Sequence, residues 1–361
     1  MTAEDRNLSA VLYGIDDLRL EEMPIPEPKE NEVLVRVHCV GICGSDVHFL
    51  KHGHIGSYAL AGPMVLGHEA SGVVVRTGAA VSHLQAGDRV ALEPGVPCRQ
   101  CTLCLTGRYN LCRDVRFCAC PPTHGALTGF FAHAADYCYK LPKNVSLEEG
   151  AMLEPLSVAI HACRRAGITL GSSVLIIGAG PIGLVTMLTA KAMGATNILI
   201  TDLLTHRLEM AKKIGATSTL HIRSADKQKT VKEIVSLLKC EPHISIECSG
   251  SENGICLAVL ATAPTGVVML VGNSPPEVKV PLIEASLKEV DIRGIFRYSN
   301  TYPTALSMVA SGVVDIKQLI THKYPLVKIA EAFEKAHTGE DNPIKIMIYC
   351  SDSNENFTSH E

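Results

Sequence analysis

The sequence VLIIGAGPIG, residues 174–183, joins a short apolar run to a glycine-rich turn, and a stretch rich in Ala, Leu and Met follows it. This order is typical of a strand, a tight turn and the start of a helix. Gly178 permits the tight turn, Gly180 lets the backbone approach a pyrophosphate, and Gly183 allows close packing of helix on sheet. Pro181 suits the first helical turn, where free N–H groups bind phosphates. The stretch predicts a dinucleotide-binding unit. A flavin site, or glycine-rich packing without a nucleotide, is the alternative.

Asp202 indicates which dinucleotide binds. It ends the next strand-like run, ILITD, nineteen positions after Gly183. A carboxylate at this position accepts hydrogen bonds from both ribose hydroxyls and repels a 2′-phosphate, which favours NAD over NADP. Arg207 follows shortly and is a candidate for the adenosine ribose, with a solvated surface position as an equal alternative.

The chain changes character near residue 155. Before that point, Pro and Gly divide it into short strand-like runs, such as residues 32–40, 70–75 and 88–92. After about residue 170, strand-like runs alternate with helix-like stretches, which is typical of parallel βαβ units. The later strand-like runs are residues 174–177, 198–201, 244–248, 267–271 and 292–296. The pattern predicts an α/β protein in which a doubly wound parallel sheet follows a β-rich part.

The composition excludes several classes of protein. The 361 residues are 47% hydrophobic and 19% charged, which argues against a disordered chain. The formal net charge of −4 argues against a nucleic-acid binder that relies on a basic surface. Residues 166–190 carry no charge, but six of them are Gly or Pro, so a strand, turn and helix is a better interpretation than a membrane span. The polar start MTAEDRN lacks the features of a signal peptide, so we expect a cytoplasmic protein without a membrane partner.

Fourteen cysteines in such a chain favour metal binding or burial over a disulfide framework. Cys98, Cys101, Cys104 and Cys112 lie within fifteen residues, and four thiolates can enclose one zinc tetrahedrally. Because cysteine fills all four positions, no open coordination site remains, and the zinc would be structural. An iron–sulfur cluster is the alternative on ligands alone. A redox CxxC motif and a nucleic-acid-binding zinc ribbon fit the surroundings less well.

A second set of metal-ligating side chains is scattered along the first part of the chain. Cys43 lies in a glycine-flanked turn, His68 and Glu69 precede a strand-like run, and Glu154 follows an apolar run. Each of these residues alone is more often an ordinary buried side chain than a ligand. A carboxylate buried at Glu154, however, is costly unless it is paired or bound to a metal.

Several stretches resemble the zinc-containing medium-chain dehydrogenase/reductase family, and within it the branch of polyol (sorbitol) dehydrogenases and ketose reductases. They are GICGSDVH (41–48), GHEASGVVV (67–75), the four-cysteine segment, LEPLSVAIHACRRAG (153–167), VLIIGAGPIGL (174–184) and IFRYSNTYP (295–303). The resemblance covers essentially the whole chain apart from its polar C-terminal tail. It implies a β-rich GroES-like catalytic domain over residues 1–155 and 296–361, and a Rossmann NAD-binding domain over residues 156–295.

The resemblance also implies roles for the scattered residues. Cys43, His68 and Glu69 correspond to the ligands of a catalytic zinc, and Glu154 binds the metal directly or through water, or holds the substrate. Two carboxylates and one thiolate make this a harder metal site, which suits a polyhydroxyl substrate. Ser45, with His48 as the outer member, would relay the proton from the alcohol.

Further implied residues contact the substrate and cofactor. Arg297 and Tyr298 resemble a polyol-contacting pair, whereas Phe49 stands where the family often has Tyr, so one hydroxyl contact is missing. The implied cofactor contacts are Gly178, Gly180, Pro181, Ile182, Gly183, Asp202, Arg207, Val271, Gly272, Asn273, Ile295, Phe296 and Arg297.

The implied activity is zinc-catalysed, reversible oxidation of a polyol such as sorbitol or xylitol to the ketose, fructose or xylulose, with hydride transfer to NAD. A homotetramer with one catalytic and one structural zinc per chain is expected. The alternatives are a related zinc alcohol dehydrogenase of the butanediol or threonine type, and a non-catalytic NAD(P)H-binding protein of the same fold.

Overall fold

A computed structural model of the chain describes residues 6–351, so residues 1–5 and 352–361 lie outside the described part. The chain divides into two units. The first unit runs to Glu154 and resumes at Lys317, and the second comprises Pro155–Ile316. Strands and helices are numbered in chain order.

The first unit is built mainly from antiparallel strands. Its strands are β1 (Leu8–Gly14), β2 (Asp17–Glu22), β3 (Glu32–Gly41), β4 (His54–Ile55), β5 (Tyr58–Ala59), β6 (Met64–Val65), β7 (Glu69–Thr77), β8 (Arg89–Leu92), β9 (Gly95–Val96), β10 (Arg116–Phe117), β11 (Phe130–Ala134), β12 (Cys138–Lys140), β19 (Ile320–Pro325) and β20 (Lys345–Tyr349). Its main sheet has the order β12-β8-β7-β3-β20-β19, with β11 also pairing with β3. The helices are α1 (Gly44–His52), α2 (Thr102–Leu105), α3 (Leu147–Ala151) and α11 (Ile329–Thr338). This architecture matches the β-rich part that the sequence predicts.

The second unit contains the parallel sheet. Its strands are β13 (Ser173–Ile177), β14 (Asn197–Asp202), β15 (Ser218–His221), β16 (Ile244–Glu247), β17 (Val267–Leu270) and β18 (Asp291–Gly294). Every pairing between them is parallel, and their order is β15-β14-β13-β16-β17-β18. Counted from β13, this is the order 3-2-1-4-5-6 of a doubly wound dinucleotide-binding sheet. The predicted Rossmann fold is confirmed.

Helices alternate with these strands. They are α5 (Pro181–Ala192), α6 (Thr205–Lys213), α7 (Lys227–Leu238), α8 (Glu252–Ala261), α9 (Leu282–Leu287) and α10 (Tyr302–Ala310), and α4 (Leu153–Ala166) begins at the boundary between the units. Central strand residues such as Leu175 and Leu199 are fully buried, as expected for a sheet covered on both faces. No helix in the described range 6–351 is long and apolar enough to cross a membrane.

The second unit extends further than the predicted boundary at residue 296. Residues 296–316 group with the second unit, whereas the resemblance assigned them to the catalytic domain. Arg164 on α4 explains the difference, because its guanidinium donates hydrogen bonds to the Asn300 carbonyl (3.2 Å) and to Thr304 Oγ1 (2.9 Å). Tyr302 and Ala305 on α10 are also buried. The segment after β18 is therefore held to the nucleotide-binding unit before the chain returns at Lys317.

Candidate metal centres and cofactor site

Cys43, His68 and Glu69 come together at one end of the main sheet of the first unit. Antiparallel pairing of β3 with β7 sets Gly41 opposite Glu69, so the residues just after β3 meet those that open β7. One ligand atom from each of the three side chains lies within 4.8 Å of the other two. His68 and Glu69 are buried and Cys43 is half-buried. Residues that are 25 positions apart in sequence thus form one compact set of donors.

Gly41 is required by this arrangement. A side-chain carbon at that position would collide with Glu69 Oε2. The carboxylate therefore lies directly against the backbone at the end of β3, which holds it on the side of Cys43.

Asp46 orients the histidine of the cluster. Its Oδ1 lies 3.4 Å from His68 Nδ1 and accepts the Gly67 N–H at 3.1 Å, and its Oδ2 accepts the Cys43 N–H at 3.1 Å. Burial raises the pKa of Asp46, but His68 and the two N–H donors bring it below its ordinary value. Because Asp46 occupies Nδ1, His68 presents Nε2 as its free ligand atom, as metal-binding histidines commonly do.

The electrostatic field of the cluster favours a cation. Burial lowers the pKa of His68, yet Asp46 and Cys43 raise it well above the ordinary value. The negative field that stabilises a proton on this imidazole also stabilises a divalent ion. A thiolate, an imidazole and a carboxylate are all common zinc ligands, and three protein ligands leave a fourth position open for a reacting molecule. The residues present fit a catalytic zinc.

Glu154 lies near this cluster without belonging to it. The side chain is 5% exposed, and its negative charge helps to raise the pKa of Lys345, a buried lysine of the same unit. Its carboxylate is not part of the group whose ligand atoms lie within 4.8 Å of one another.

The four cysteines of the predicted structural zinc site also come together. The sulfur atoms of Cys98, Cys101, Cys104 and Cys112 all lie within 4.8 Å of one another. Cys104 Sγ lies 3.4 Å from Cys101 Sγ and 3.8 Å from Cys98 Sγ. Backbone N–H groups of Gln100 and Cys101 lower the pKa of Cys98 to about 7, whereas burial and the neighbouring thiols raise that of Cys104 to about 12. Four convergent thiols, one of which ionises readily, fit a closed zinc site.

The glycine-rich turn has the conformation that its sequence predicts. Gly178 follows β13 with φ +95°, and Gly180 caps α5 with Pro181 at its first turn. A side chain at Gly183 would collide with the Gly178 carbonyl oxygen, so helix and turn pack in direct backbone contact. The N-terminal N–H groups of a twelve-residue helix are thereby presented at this turn.

Asp202 holds the turn in place. Its Oδ2 accepts the Ala179 N–H at 2.6 Å, and its Oδ1 accepts the Leu204 N–H at 2.9 Å. Asp202 is 9% exposed. A carboxylate offers about four lone-pair sites, so two remain for ribose hydroxyls. Arg207 lies close by, with Nη1 3.8 Å from Asp202 Oδ2.

The remaining predicted cofactor residues follow the neighbouring strands. Val271, Gly272 and Asn273 come after β17, and Ile295, Phe296 and Arg297 come after β18, so both groups are at the same carboxyl-end edge as Gly178. The Glu247 carbonyl accepts hydrogen bonds from the Val271 and Gly272 N–H groups, both at 2.9 Å. Ligands bind at this edge in doubly wound sheets.

Comparison with known proteins identifies the family. Residues 29–143 match the alcohol dehydrogenase GroES-like domain, and residues 181–311 match the zinc-binding dehydrogenase domain. The chain is 52% identical to the sorbitol dehydrogenase of Gallus gallus over 99% of this chain and 100% of the relative. The chain belongs to the sorbitol dehydrogenase family. The human sorbitol dehydrogenase is also 52% identical, over 98% of this chain and 99% of the relative.

A solved structure agrees with this family. An oxidoreductase/dehydrogenase of unknown specificity from Escherichia coli superimposes with a TM-score of 0.91 at 37% identity, covering 96% of this chain and all of that one. The protein is a zinc-dependent oxidoreductase, and its cofactors are zinc and NAD. The predicted family, fold class and cofactors are therefore confirmed.

The implied substrate residues lie in different parts of the fold. Phe49 on α1 is 3% exposed and packs in the hydrophobic core of the first unit. Arg297 and Tyr298 follow β18 in the second unit, where the Arg297 guanidinium lies 4.6 Å from the centre of the Phe296 ring. Tyr298 is 3% exposed, and its ring centre lies 5.7 Å from that of Tyr302.

Sequence reasoning missed two residues that support the cluster of Cys43, His68 and Glu69. The sequence contains a weak indication of Asp46, because an acidic residue three positions after Cys43 is typical of a helix start. In the structure its carboxylate accepts the Cys43 N–H at the start of α1. Nothing in the sequence indicated Lys345, because it contacts Glu69 from 276 residues away along the chain. Only the pairing of β20 with β3 brings it to the site.

Proposed function

We propose that the protein catalyses the reversible, NAD-dependent oxidation of a polyol such as sorbitol or xylitol at a secondary alcohol, giving the ketose. The observation that carries this proposal is the cluster of Cys43, His68 and Glu69 within 4.8 Å, with Asp46 fixing the imidazole. A protein that only bound NAD(P)H would have no use for such a cluster. Sequence identity of 52% to sorbitol dehydrogenases over nearly the full chain supports the polyol as substrate.

The protein side chains have separate tasks in this reaction. Cys43, His68 and Glu69 would hold the zinc, and Glu154 would hold a water molecule or a substrate hydroxyl group. When bound, zinc supplies a Lewis acid that acidifies the alcohol, and NAD supplies the hydride acceptor. Arg297 and Tyr298 would bind further hydroxyl groups of the polyol.

Ser45 and His48 are suited to carry the released proton. They are three residues apart on α1, a spacing that puts two side chains on one helix face. His48 Nδ1 donates to the His54 carbonyl at 2.8 Å, so the neutral ring keeps Nε2 as its proton acceptor. A half-buried position gives this imidazole access to solvent.

A substrate comparison tests the activity. We expect kcat/KM with NAD to be highest for D-sorbitol or xylitol and much lower for L-threonine and butanediol, because the site holds a second carboxylate at Glu154 beside the zinc ligands. Steady-state assays with each substrate, together with zinc content per chain, make the measurement. Faster turnover of butanediol or threonine would assign the protein to another branch, and no turnover of any alcohol would favour the binding-protein alternative.

A homotetramer is proposed from the family resemblance, in which residues 282–290 form one of the contacts between subunits. This segment includes α9, whose Leu282, Ile283 and Leu287 are 62%, 67% and 76% exposed, beside β18 at the edge of the sheet. Exposed apolar side chains next to an unpaired strand edge are typical of subunit interfaces. Sedimentation velocity should give the mass of a tetramer for the wild type and smaller species for Leu287→Glu.

The control for this interface is Leu170→Glu, which changes an 88% exposed leucine elsewhere in the second unit and should leave the assembly intact. A monomeric wild type, or a Leu287→Glu variant that assembles normally, contradicts the proposal.

A cytoplasmic location is also proposed. All fourteen cysteines lie within the described residues and none of them forms a disulfide bond, as is usual in the reducing cytosol. Microscopy of the tagged protein beside a cytosolic marker tests it.

A further inference from the structure

Lys345 is a buried lysine with no place in the reaction described above. Its side chain is 3% exposed, and its Nζ lies 2.8 Å from each carboxylate oxygen of Glu69. The third ammonium proton is donated to the Ile42 carbonyl at 3.0 Å. Every donor of this ammonium group is therefore satisfied, and two of the three bind a ligand of the catalytic zinc.

The strand arrangement fixes this contact. Lys345 opens β20, and β20 pairs with β3 so that the Ile42 N–H donates to the Ile346 carbonyl at 2.9 Å. Gly41 leaves room for the Glu69 carboxylate on the other side. Glu69 is 1% exposed, so bulk water does not compete with the ammonium for its carboxylate. Lys345 and Glu69 thus form a buried ion pair.

Lys345 and the zinc must share the same carboxylate. Each carboxylate oxygen offers about two lone-pair sites, of which the ammonium takes one and leaves one for the metal. A carboxylate that already neutralises a cation donates less charge to a second one.

A charge balance follows from these contacts. Cys43 as thiolate, Asp46, Glu69 and Glu154 would contribute four negative charges, of which a divalent ion and the Lys345 ammonium together neutralise three. Without the ammonium, a second negative charge would remain uncompensated in the buried site. That excess would hold the metal more tightly and reduce its ability to acidify an alcohol.

We propose that Lys345 is a positioning residue that limits how strongly Glu69 binds the zinc, so that the metal keeps the positive charge that alcohol activation needs. This inference rests on the proposed catalytic zinc at Cys43, His68 and Glu69. A residue that only held Glu69 in place for the metal would strengthen zinc binding, whereas Lys345 is proposed to weaken it.

The direction of the change in zinc retention tests the proposal. In Lys345→Met, we expect the catalytic zinc to leave about tenfold more slowly in the presence of a chelator, since one positive charge near the ion has been removed. We expect kcat for the polyol to fall about tenfold in the same variant, and Lys345→Arg to restore both values towards those of the wild type. Cys43→Ala should retain only the structural zinc. Its zinc content is therefore subtracted from that of the other variants to give the amount of catalytic zinc.

Lys323→Met is the matched control, because Lys323 on the neighbouring strand β19 pairs with Glu148 at 2.7 Å and should not affect zinc release. Circular dichroism and thermal unfolding monitor folding, and Lys345→Gln replaces Lys345→Met if the latter does not fold. Zinc that leaves faster, or at an unchanged rate, from the folded variant overturns the proposal. A wild type with no zinc above the Cys43→Ala baseline would instead refute the proposed function itself.

Discussion

Replacing Cys43 with alanine is expected to lower kcat/KM for the polyol by at least about 10³-fold, while the affinity for NADH changes little. Cys43, His68 and Glu69 have their ligand atoms within 4.8 Å of one another. The loss of one of three protein ligands removes the zinc, whose Lewis acidity lowers the barrier by several kcal/mol, and each 1.36 kcal/mol corresponds to about a tenfold change in rate. The cofactor residues around Gly178 belong to the other unit of the chain, so their binding of NADH should persist.

Three measurements check this expectation together. Steady-state kinetics give kcat/KM, atomic absorption should show the loss of one zinc ion per chain, and NADH fluorescence titration gives the cofactor affinity. Cys240→Ala is the matched control, because it removes a half-buried thiol that has no proposed metal. Retained turnover in Cys43→Ala, or a loss of zinc and of activity in Cys240→Ala alone, would contradict the assignment of the catalytic zinc.

The fold of the second unit was largely predictable because its signals are local. The apolar runs of β13, β14, β16 and β17 are continuous and largely buried. Gly178 has the positive φ, and Gly183 the close packing, that their sequence implies. The strand β15 was missed because its four residues, STLH, are all half-buried and mostly polar. A short edge strand of this kind lacks the apolar run by which a central strand is recognised.

The boundary of that unit was less predictable than its strands. The chain leaves β18 at Gly294 and still contributes α10 before returning at Lys317. The hydrogen bonds of Arg164 that hold this segment join residues more than 130 positions apart. No periodicity within residues 296–316 reveals such a contact.

The metal sites show the same contrast between local and distant signals. Cys98, Cys101, Cys104 and Cys112 have a ligand spacing that predicts zinc by itself, since one short loop can bring them together. Cys43 and His68 meet only because β3 pairs with β7, and family resemblance was needed to join them. Lys345 corresponds to no motif, and its role depends on the three-dimensional pairing of β20 with β3.

Asp202→Ala is expected to lower the ratio of kcat/KM with NAD to that with NADP by about 10²-fold. In the wild type, the Asp202 carboxylate lies at the end of β14 with Arg207 Nη1 3.8 Å from its Oδ2. Removing the carboxylate abolishes hydrogen bonds to the ribose hydroxyls and the repulsion of a 2′-phosphate. It also releases Arg207 to pair with that phosphate, and a hydrogen bond to a charged group is worth about 1.5–3 kcal/mol.

Two further variants separate this effect from damage to the turn. Asp202 also accepts the Ala179 and Leu204 N–H groups, so the alanine variant loses support for the glycine-rich turn and should bind both cofactors less well. Asp202→Ser keeps a small acceptor for the turn but not the charge, and should shift the cofactor ratio with a smaller loss of overall affinity. Adding Arg207→Ala to Asp202→Ala should remove most of the gain in NADP use. Steady-state kinetics with both cofactors measure the ratio, and an unchanged preference for NAD in Asp202→Ala would mean that contacts elsewhere select the cofactor.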